Sequence, residues 1–334
     1  MPGSNASSPE RVTQTFSARL EGHFLTRYHL AESEADRQRR RLYQLAGEKF
    51  WQSHKDLDWR TIDTRQLPEQ PENDPLCGFA AYEKQTPALR CQLSWQRHSM
   101  EISEILHGEQ AALLVASQLV SMIKGSAGKL FISTQVSDEA RHVEFFSHYL
   151  RACNQPVHEP SIYLQKIITQ ALESGVLPMK LSICHILIES LALARFRELR
   201  KFSCSPLMCK ALSLILNDEA RHVNFGTDLL KESCLSMPDT ERQQLGLSLV
   251  QMALSLSNSN FVCQRIAREQ GWDCAQLRRH LRHFHLSRPQ LAQSRLRQFT
   301  LNLQQAGLMT AEAQALLQSL RRPTNARRLA LQSG

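Results

Sequence analysis

The sequence predicts an all-α protein, a four-helix bundle with additional helices before and after it. Hydrophobic residues make up 42% of the 334 residues, and only 13 glycines and 13 prolines interrupt them, a composition that favours long helices. Alternating strand patterns and Asn-Gly hairpin turns are missing from the sequence. The pentapeptide Asp-Glu-Ala-Arg-His occurs twice, with the copies eighty residues apart, which indicates two related helical halves.

Apolar spacing, proline and glycine set the order of the predicted elements. The first bundle helix begins at Pro87, and Gly125-Ser126-Ala127-Gly128 supplies the turn after it. The bundle helices are predicted over 87–124, 129–153, 178–202 and 206–234, with a crossover over 161–173 and a fifth long helix over 241–270. The whole chain divides into a disordered lead (1–10), an N-terminal helical arm and loop (11–86), the bundle (87–235), a C-terminal helical extension (239–320) and a basic tail (321–334).

Each copy of the pentapeptide places a Glu and a His three residues apart, so both side chains leave one face of a helix. A further Glu precedes the Glu of each copy by thirty residues, enough for a helix, a turn and part of an antiparallel neighbour. Two such hairpins would bring four carboxylates and two imidazoles to one buried point. The predicted metal ligands are Glu109, Glu139, His142, Glu189, Glu219 and His222.

This set of side chains predicts a dinuclear metal site. Four carboxylates offset the charge of two divalent ions, and one imidazole per ion leaves positions open for dioxygen or substrate. Such ligands favour iron or manganese over structural zinc, which prefers thiolate and imidazole. The alternative is that each pentapeptide is a solvated helix face with internal ion pairs. Against it, Glu189 lies among Ile186, Leu187 and Leu191, where an unpaired carboxylate would be costly to bury.

At these residues the sequence resembles the ferritin-like di-iron carboxylate superfamily, over roughly Glu101 to Leu235. Gly108-Glu109-Gln110 resembles the start of the ligand helix in oxidases related to the ribonucleotide reductase small subunit. The repeated Asp-Glu-x-Arg-His is similar to that of the p-aminobenzoate N-oxygenase family. The sequence departs from these relatives at Phe146, where the reductase has its radical tyrosine, at Leu193, where monooxygenases carry Thr, and at Ile215, where N-oxygenases typically have a further histidine ligand. The resemblance implies a ferritin-like bundle with oxidase or oxygenase activity.

The resemblance also implies a layer of side chains around the ligands. Asp138 would accept a hydrogen bond from His222, and Asp218 would accept one from His142, which fixes the tautomer of each imidazole. The residues that would pair with these aspartates are Arg141 and Arg221.

Two further features of the sequence bear on the site. His185 lies four residues before Glu189, and three roles stay open for it. It is a core histidine with satisfied hydrogen bonds, a residue that holds the metal ligands in place without binding the metal, or a third nitrogen ligand. Leu57-Asp58-Trp59 looks like the Asp-Trp element that precedes the bundle in several di-iron oxidases.

The residues and the resemblance together predict a cytoplasmic, non-haem di-iron oxidase or oxygenase that activates dioxygen to oxidise a small organic substrate. Two Fe ions are expected, with a Mn/Fe pair left open, and dioxygen is the expected co-substrate. The sequence contains no flavin, nicotinamide or iron-sulfur motif, so an external electron donor or reductase is expected. The alternatives are a ferroxidase or iron-handling protein and a Mn/Fe radical-generating subunit.

The net charge of +8 limits the classes of partner. Residues 265–334 contain twelve Arg and three acidic residues, a balance of +9, so the bundle is not the basic part. This end would suit an acidic carrier protein, whereas no nucleic-acid-binding module accompanies the charge. Nine cysteines in no paired pattern and the lack of a signal peptide indicate the cytosol. The sequence has no uninterrupted apolar stretch of about 18 residues, so no membrane span is predicted. Whether the protein forms a homodimer stays open.

Overall fold

The computed structural model describes residues 33–257 and 260–321, and its regular elements are helical, which confirms the all-α prediction. The only β-type contact among these residues is an isolated bridge between Glu69 and Ser203. The long helices are α1 (Glu34–Glu48), α2 (Pro87–Met122), α3 (Ser126–Ala152), α4 (Ile162–Glu173), α5 (Leu177–Phe202), α6 (Pro206–Leu235), α7 (Asp239–Ser257), α8 (Asn260–Glu269), α9 (Cys274–Leu286), α10 (Pro289–Gln305) and α11 (Ala311–Arg321). Between α1 and α2 lie single-turn helices at Ser53–Asp56 and Ala80–Glu83 and 3-10 turns at Trp59–Thr61 and Pro71–Asn73.

Capping side chains and prolines fix where the long helices begin. Pro87 is in the first turn of α2, and the Thr86 hydroxyl accepts a hydrogen bond from the backbone N–H of Leu89. Ser205 caps α6 in the same way, immediately before Pro206. Because these signals are local, the predicted beginnings of both helices are confirmed.

The bundle consists of two helical hairpins joined by a crossover. Helices α2 and α3 pack along each other as one hairpin, α5 and α6 form the other, and α4 connects them. In each bundle helix, residues of two separate apolar clusters lie on either side of one short segment. One cluster contains Phe131 and Phe225, and the other contains Phe146 and Phe196. The four short segments between the clusters therefore meet at one level inside the bundle.

Helix α5 contains a segment with wider turns that the sequence analysis did not predict. Residues Ser182–Glu189 form a π-helix, and α-helical geometry continues from Ser190. By length and composition α5 could cross a membrane, but 72% of its most apolar window is buried inside the protein. It is therefore a core helix of the bundle, and no other helix in the described residues passes that test.

Several predictions fall on residues that the structure does not describe. The disordered lead at 1–10 lies entirely outside the described residues, as do the arm up to residue 32 and almost all of the basic tail. The predicted fifth helix over 241–270 corresponds to two helices, α7 and α8, with residues 258–259 outside the described part. The predicted segment boundaries themselves stay a prediction.

Candidate metal centre

The six side chains predicted as metal ligands meet in the middle of the bundle, and each is at most 4% exposed. One comes from α2, two from α3, one from α5 and two from α6. We call the set the Glu/His centre: Glu109, Glu139, His142, Glu189, Glu219 and His222.

Two carboxylates of the Glu/His centre each face both imidazoles. Glu139 has Oε2 at 3.2 Å from Nδ1 of His142 and Oε1 at 3.1 Å from Nδ1 of His222. Glu219 has Oε1 at 3.2 Å from Nδ1 of His142 and Oε2 at 3.9 Å from Nδ1 of His222. Each of these side chains therefore directs one oxygen to each half of the site.

The ligand atoms fall into two overlapping sets of the same composition. Potential ligand atoms within 4.8 Å of one another form the set Glu109, Glu139, His142 and Glu219 and the set Glu139, Glu189, Glu219 and His222. Each set has three carboxylates and one imidazole, and the sets share Glu139 and Glu219. This is the arrangement that two ions with two bridging carboxylates require.

The outer aspartates connect the two pentapeptides crosswise. Oδ2 of Asp138 lies 3.0 Å from Nε2 of His222, and Oδ2 of Asp218 lies 3.2 Å from Nε2 of His142. Both contacts are those implied by the sequence resemblance. They place the proton of each imidazole on Nε2, so that Nδ1 offers its lone pair to the centre.

Two arginines neutralise the outer aspartates. Arg141 donates to Oδ1 of Asp138 at 2.5 Å and lies 3.5 Å from Oδ2 of Asp218. Arg221 donates to Oδ1 of Asp218 at 2.6 Å and to Oδ2 of Asp138 at 3.2 Å. The guanidiniums thus balance the outer shell and leave the charge of the four glutamates unbalanced.

The Glu/His centre fits divalent cations by its charge and by its unsatisfied atoms. Among the described residues, Oε2 of Glu189 and both carboxylate oxygens of Glu219 have no hydrogen-bond donor. Burial, and after it the charge of Glu219, raises the pKa of Glu109 and of Glu189 well above the usual range. Such a cluster is costly without cations, and its oxygen-rich donor set suits iron or manganese.

Gln135, one turn before Glu139 on α3, links the centre to His185. Its Nε2 donates to Oε1 of Glu189 at 2.7 Å and to Oε1 of Glu139 at 3.3 Å. Its Oε1 lies 3.1 Å from Nε2 of His185, so His185 donates from that nitrogen. The sequence analysis missed Gln135, although its spacing of four from Glu139 places it on the ligand face.

His185 occupies space that a glycine on the neighbouring helix provides. A Cβ on Gly226 would lie 2.1 Å from Cγ of His185. Nε2 of His185 lies 4.0 Å from Oε1 of Glu189, farther than from Gln135. The geometry favours a side chain that supports the ligands over a third nitrogen ligand. Cys184 also approaches Glu189, with Sγ 3.3 Å from Oε1.

The tryptophan that contacts the surroundings of the centre is Trp51. Its Nε1 donates to Oδ2 of Asp218 at 2.8 Å, and its ring stacks on His142 with centroids 6.3 Å apart. Trp59, in the segment that resembles an Asp-Trp element, instead stacks on His148 at 3.9 Å. The segment Leu57-Asp58-Trp59 thus lies beside α3 without a contact to Asp218, and the contact with that aspartate comes from Trp51.

At the positions where the sequence departs from its relatives, the side chains are buried and apolar. Phe146 and Ile215 are fully buried, and Leu193 is 2% exposed. Tyr149 does not replace a tyrosine at Phe146, because its hydroxyl lies 3.2 Å from Nε2 of His98, away from the Glu/His centre. These positions pack the core and add no metal ligand.

A cavity of about 240 Å³ lies against the centre. Glu109 and Glu189 belong to its wall, as do small residues of α2 such as Gly108 and Ala112. Apolar side chains of α4, α5, α7 and α8 also line it. Glu101 and Glu104, which lie one to two turns before Glu109 on α2, belong to the lining together with Arg195 and Arg295, and we call this part the outer end of the cavity.

Three arginines and four carboxylates, some buried and some half-buried, form an ion-pair cluster beside the outer end of this cavity. Arg97, only 1% exposed, lies 2.9 Å from Glu69, 3.1 Å from Asp74 and 2.8 Å from Glu101. The arginine network, as we call it, consists of Arg97, Arg195, Arg295, Glu69, Asp74, Glu101 and Glu198.

Comparison with known proteins identifies both a family and a fold. A family model described as p-aminobenzoate N-oxygenase AurF matches residues 32–300. One similar solved structure is a variant of an R2-like ligand-binding oxidase with an aerobically reconstituted Mn/Fe cofactor, at 16% identity and a TM-score of 0.51, covering 80% of this chain and 93% of that chain. A second variant, with an anaerobically reconstituted Mn/Fe cofactor, has 16% identity, a TM-score of 0.54 and the same coverage of 80% and 93%.

At this identity the likeness to solved structures concerns the fold, and it confirms the predicted ferritin-like bundle. A comparison with curated proteins gave no match. The family model matches although Ile215 stands at the position of the further histidine.

Proposed function

The chain belongs to the p-aminobenzoate N-oxygenase AurF family and is an oxygen-dependent oxidoreductase, and from this premise we propose that it oxidises a small organic substrate at a dinuclear iron or manganese-iron site. The observation that supports this most directly is the sharing of Glu139 and Glu219 by two equivalent ligand sets. Solvated helix faces would leave these side chains exposed, whereas all six are buried.

The proposal gives each residue of the Glu/His centre a role. Glu109 and His142 would bind one ion, Glu189 and His222 the other, and the two shared glutamates would bridge them. Bound there, two such ions would supply the redox chemistry with dioxygen.

The surrounding side chains would hold the ligands in place. Asp138 and Asp218 accept from Nε2 of the two histidines and so keep Nδ1 directed at the centre. Arg141 and Arg221 balance these aspartates, and His185 acts through Gln135 on Glu189. None of these residues would itself touch the substrate.

The cavity beside the centre would bind the substrate. Gly108 and Ala112 leave space next to Glu109, and the apolar walls would orient an organic molecule and exclude water. Electrons would come from an external donor or reductase, because the sequence contains no cofactor motif for them. We further propose a soluble, cytoplasmic protein whose basic C-terminal part would suit an acidic carrier protein.

Elemental analysis of iron-loaded protein tests this function. We expect about two ions per chain in the wild type and loss of both in Glu139→Ala and Glu219→Ala. Glu144→Ala is the matched control, since Glu144 is an exposed residue of the same helix as Glu139. A single ion, zinc, or binding that is indifferent to the two substitutions would refute the dinuclear site.

Oxygen consumption separates an oxidase from the alternatives. An oxidase would couple it to formation of one organic product in the presence of a reductant. Oxygen consumption coupled only to oxidation of added ferrous iron would instead indicate a ferroxidase, and a stable radical without product would indicate a radical-generating subunit.

A further inference from the structure

The charged residues of the cavity wall differ in whether they have an ion-pair partner. Arg195 pairs with Glu101 and lies 3.1 Å from Glu198, and Arg295 donates to Glu198 at 2.9 and 2.7 Å. Both guanidiniums of the wall are therefore already paired with carboxylates of the protein. An anionic substrate would have to displace those carboxylates.

Glu104 is the carboxylate of this wall without a cation beside it. Its oxygens accept hydrogen bonds from the backbone N–H and the hydroxyl of Ser161, at the beginning of α4. Within the described residues no Lys, Arg or His lies within ion-pair distance of it. Burial raises the pKa of Glu104 to about 6, so the carboxylate is mostly ionised at neutral pH.

The surroundings of Glu104 do not supply the missing positive charge. The arginine network contains three guanidiniums against four carboxylates, and even with His98, whose Nδ1 lies 3.0 Å from Glu69, counted as a fourth cation, the charge of Glu104 has no counterpart. The outer end of the cavity therefore has an excess of negative charge. Such a site attracts a cation and repels a carboxylate.

The position of Glu104 along α2 sets the distance between this charge and the Glu/His centre. Residues 101, 104, 105, 108, 109 and 112 form one stripe of the helix, and all six line the cavity. Glu104 and Glu109 are five residues apart, about 7.5 Å along the helix axis. A benzene ring with short substituents spans that distance.

We infer that the cavity takes an aromatic or similarly apolar amine whose ammonium group pairs with Glu104, while its other end reaches Glu109 and Glu189. This inference rests on the proposed function, because that function makes the inner end the reacting end. It also predicts that p-aminobenzoate, whose carboxylate would face Glu104, is not the preferred ligand of this chain.

Two small probes test the inference directly. The first is 4-aminobenzylamine and the second is 4-aminobenzoate, which share the ring and the aryl amine and differ in the charge of the opposite group. Their dissociation constants would be measured by calorimetry on the iron-loaded full chain without oxygen, so that no turnover occurs. We expect the cation to bind at least about tenfold more tightly than the anion.

Glu104→Gln is the decisive variant, because its amide oxygen can still accept from the backbone of Ser161 and its NH2 can donate to the hydroxyl. It should weaken 4-aminobenzylamine by about tenfold or more and leave 4-aminobenzoate equal or tighter. Glu144→Gln removes an exposed charge from α3 and should change neither value. Circular dichroism of both variants would show that the helices are intact.

Some results would overturn the inference. They are equal binding of the two probes by the wild type, tighter binding of the anion, or an equal loss of both in Glu104→Gln. Metal content of the same samples separates the two proposals. Two ions with charge-independent binding would refute the amine subsite alone, and Glu104-dependent binding without metal would refute the dinuclear site alone.

Discussion

Two clusters of buried carboxylates lie in the same bundle, and they differ in what balances their charge. In the arginine network, Arg97 alone contacts three carboxylates, and two further guanidiniums pair with the rest. In the Glu/His centre, four glutamates face two imidazoles, and both oxygens of Glu219 lack a donor. Every carboxylate of the first cluster has a guanidinium of the protein beside it, whereas the second cluster requires cations from outside. Burial alone therefore does not distinguish a structural ion pair from a metal site, but the presence or absence of guanidiniums does.

The largest expected effect is on the free energy of unfolding when a guanidinium of the arginine network is removed. Arg97→Met would leave Glu69 and Asp74 buried without their main counterion, so we expect a loss of about 3 to 5 kcal/mol in the free energy of unfolding. Urea denaturation would measure it, with and without metal, and the loss should be similar in both states. Arg65→Met removes a cation from an exposed pair with Asp63, which solvent screens, so it should leave the value essentially unchanged. A small effect of Arg97→Met would mean that Glu69 and Asp74 do not depend on Arg97 for their burial.

Metal loading should have the next largest effect. Ions that bind only the folded chain should raise the free energy of unfolding by about 2.7 kcal/mol at a hundredfold excess over the dissociation constant. The gain should be absent in Glu219→Gln. Without metal, Glu219→Gln should be no less stable than the wild type, because it removes a charge that raises the pKa of Glu109 and Glu189. A loss of several kcal/mol in the metal-free variant would contradict the difference between the two clusters.

Removing the support of a ligand should have a smaller effect than removing the ligand. Gln135→Leu deletes the donor to Glu189 and the acceptor for His185, so we expect metal affinity to fall by about 10-fold to 100-fold. Competition with a chelator would measure it, and an altered electronic spectrum of the loaded protein would show a changed ligand geometry. His185→Gln can still donate to Gln135 and should retain more affinity than His185→Leu. Equal losses in the two His185 variants would count against this hydrogen bond.

The smallest predicted effect concerns Glu104, which lies between the two clusters. Because its pKa is raised to about 6, protonation should halve the affinity for 4-aminobenzylamine near that pH, relative to neutral pH. Besides Glu109 and Glu189 of the Glu/His centre, the charged residues that share the cavity wall are Glu101 on α2, Arg195 on α5 and Arg295 on α10. His158, three residues before Ser161, has a pKa that burial lowers. The affinity of Glu104→Gln should be unchanged between pH 7.5 and 6.

Protonation of Glu104 should lower the affinity for the cationic probe but raise the free energy of unfolding. The pKa of Glu104 in the folded protein lies above the ordinary value of 4.5, so the folded state holds the proton more tightly than the unfolded state. Its contribution to the free energy of unfolding is therefore fully present below that value and is lost as the pH rises through about 6. Denaturation of the wild type and Glu104→Gln over this range would show the difference.

The Glu/His centre was predictable because its pattern is local and repeated. The spacing of three within each pentapeptide and of thirty to each upstream Glu identified all six side chains that the structure brings together. Helix beginnings at prolines were predictable for the same reason, since Thr86 and Ser205 lie next to them. Asp138 and Asp218 followed from the family resemblance, and their contacts with the histidines are present.

Features that depend on contacts distant in sequence were not predictable. Glu69 lies in the loop before α2, and only the fold brings it to Arg97 and Arg195. Trp51 and Trp59 both contact the bundle, and only the path of the folded chain decides that Trp51 is the one that contacts Asp218. The π-helical segment of α5 has no signal in its composition, because Ile183, Ile186 and Leu187 would suit an ordinary α-helix equally well.

The close approach of His185 to Gly226 constrains how this chain can diverge. A side chain at 226 would overlap the imidazole of His185, whose atoms lie as close as 2.1 Å to the position of its Cβ. Substitution at 226 alone should therefore be deleterious, while the same substitution after loss of the ring at 185 should be tolerated. The order of the two changes matters, and in related sequences we expect a residue larger than glycine at 226 only together with a small residue at 185.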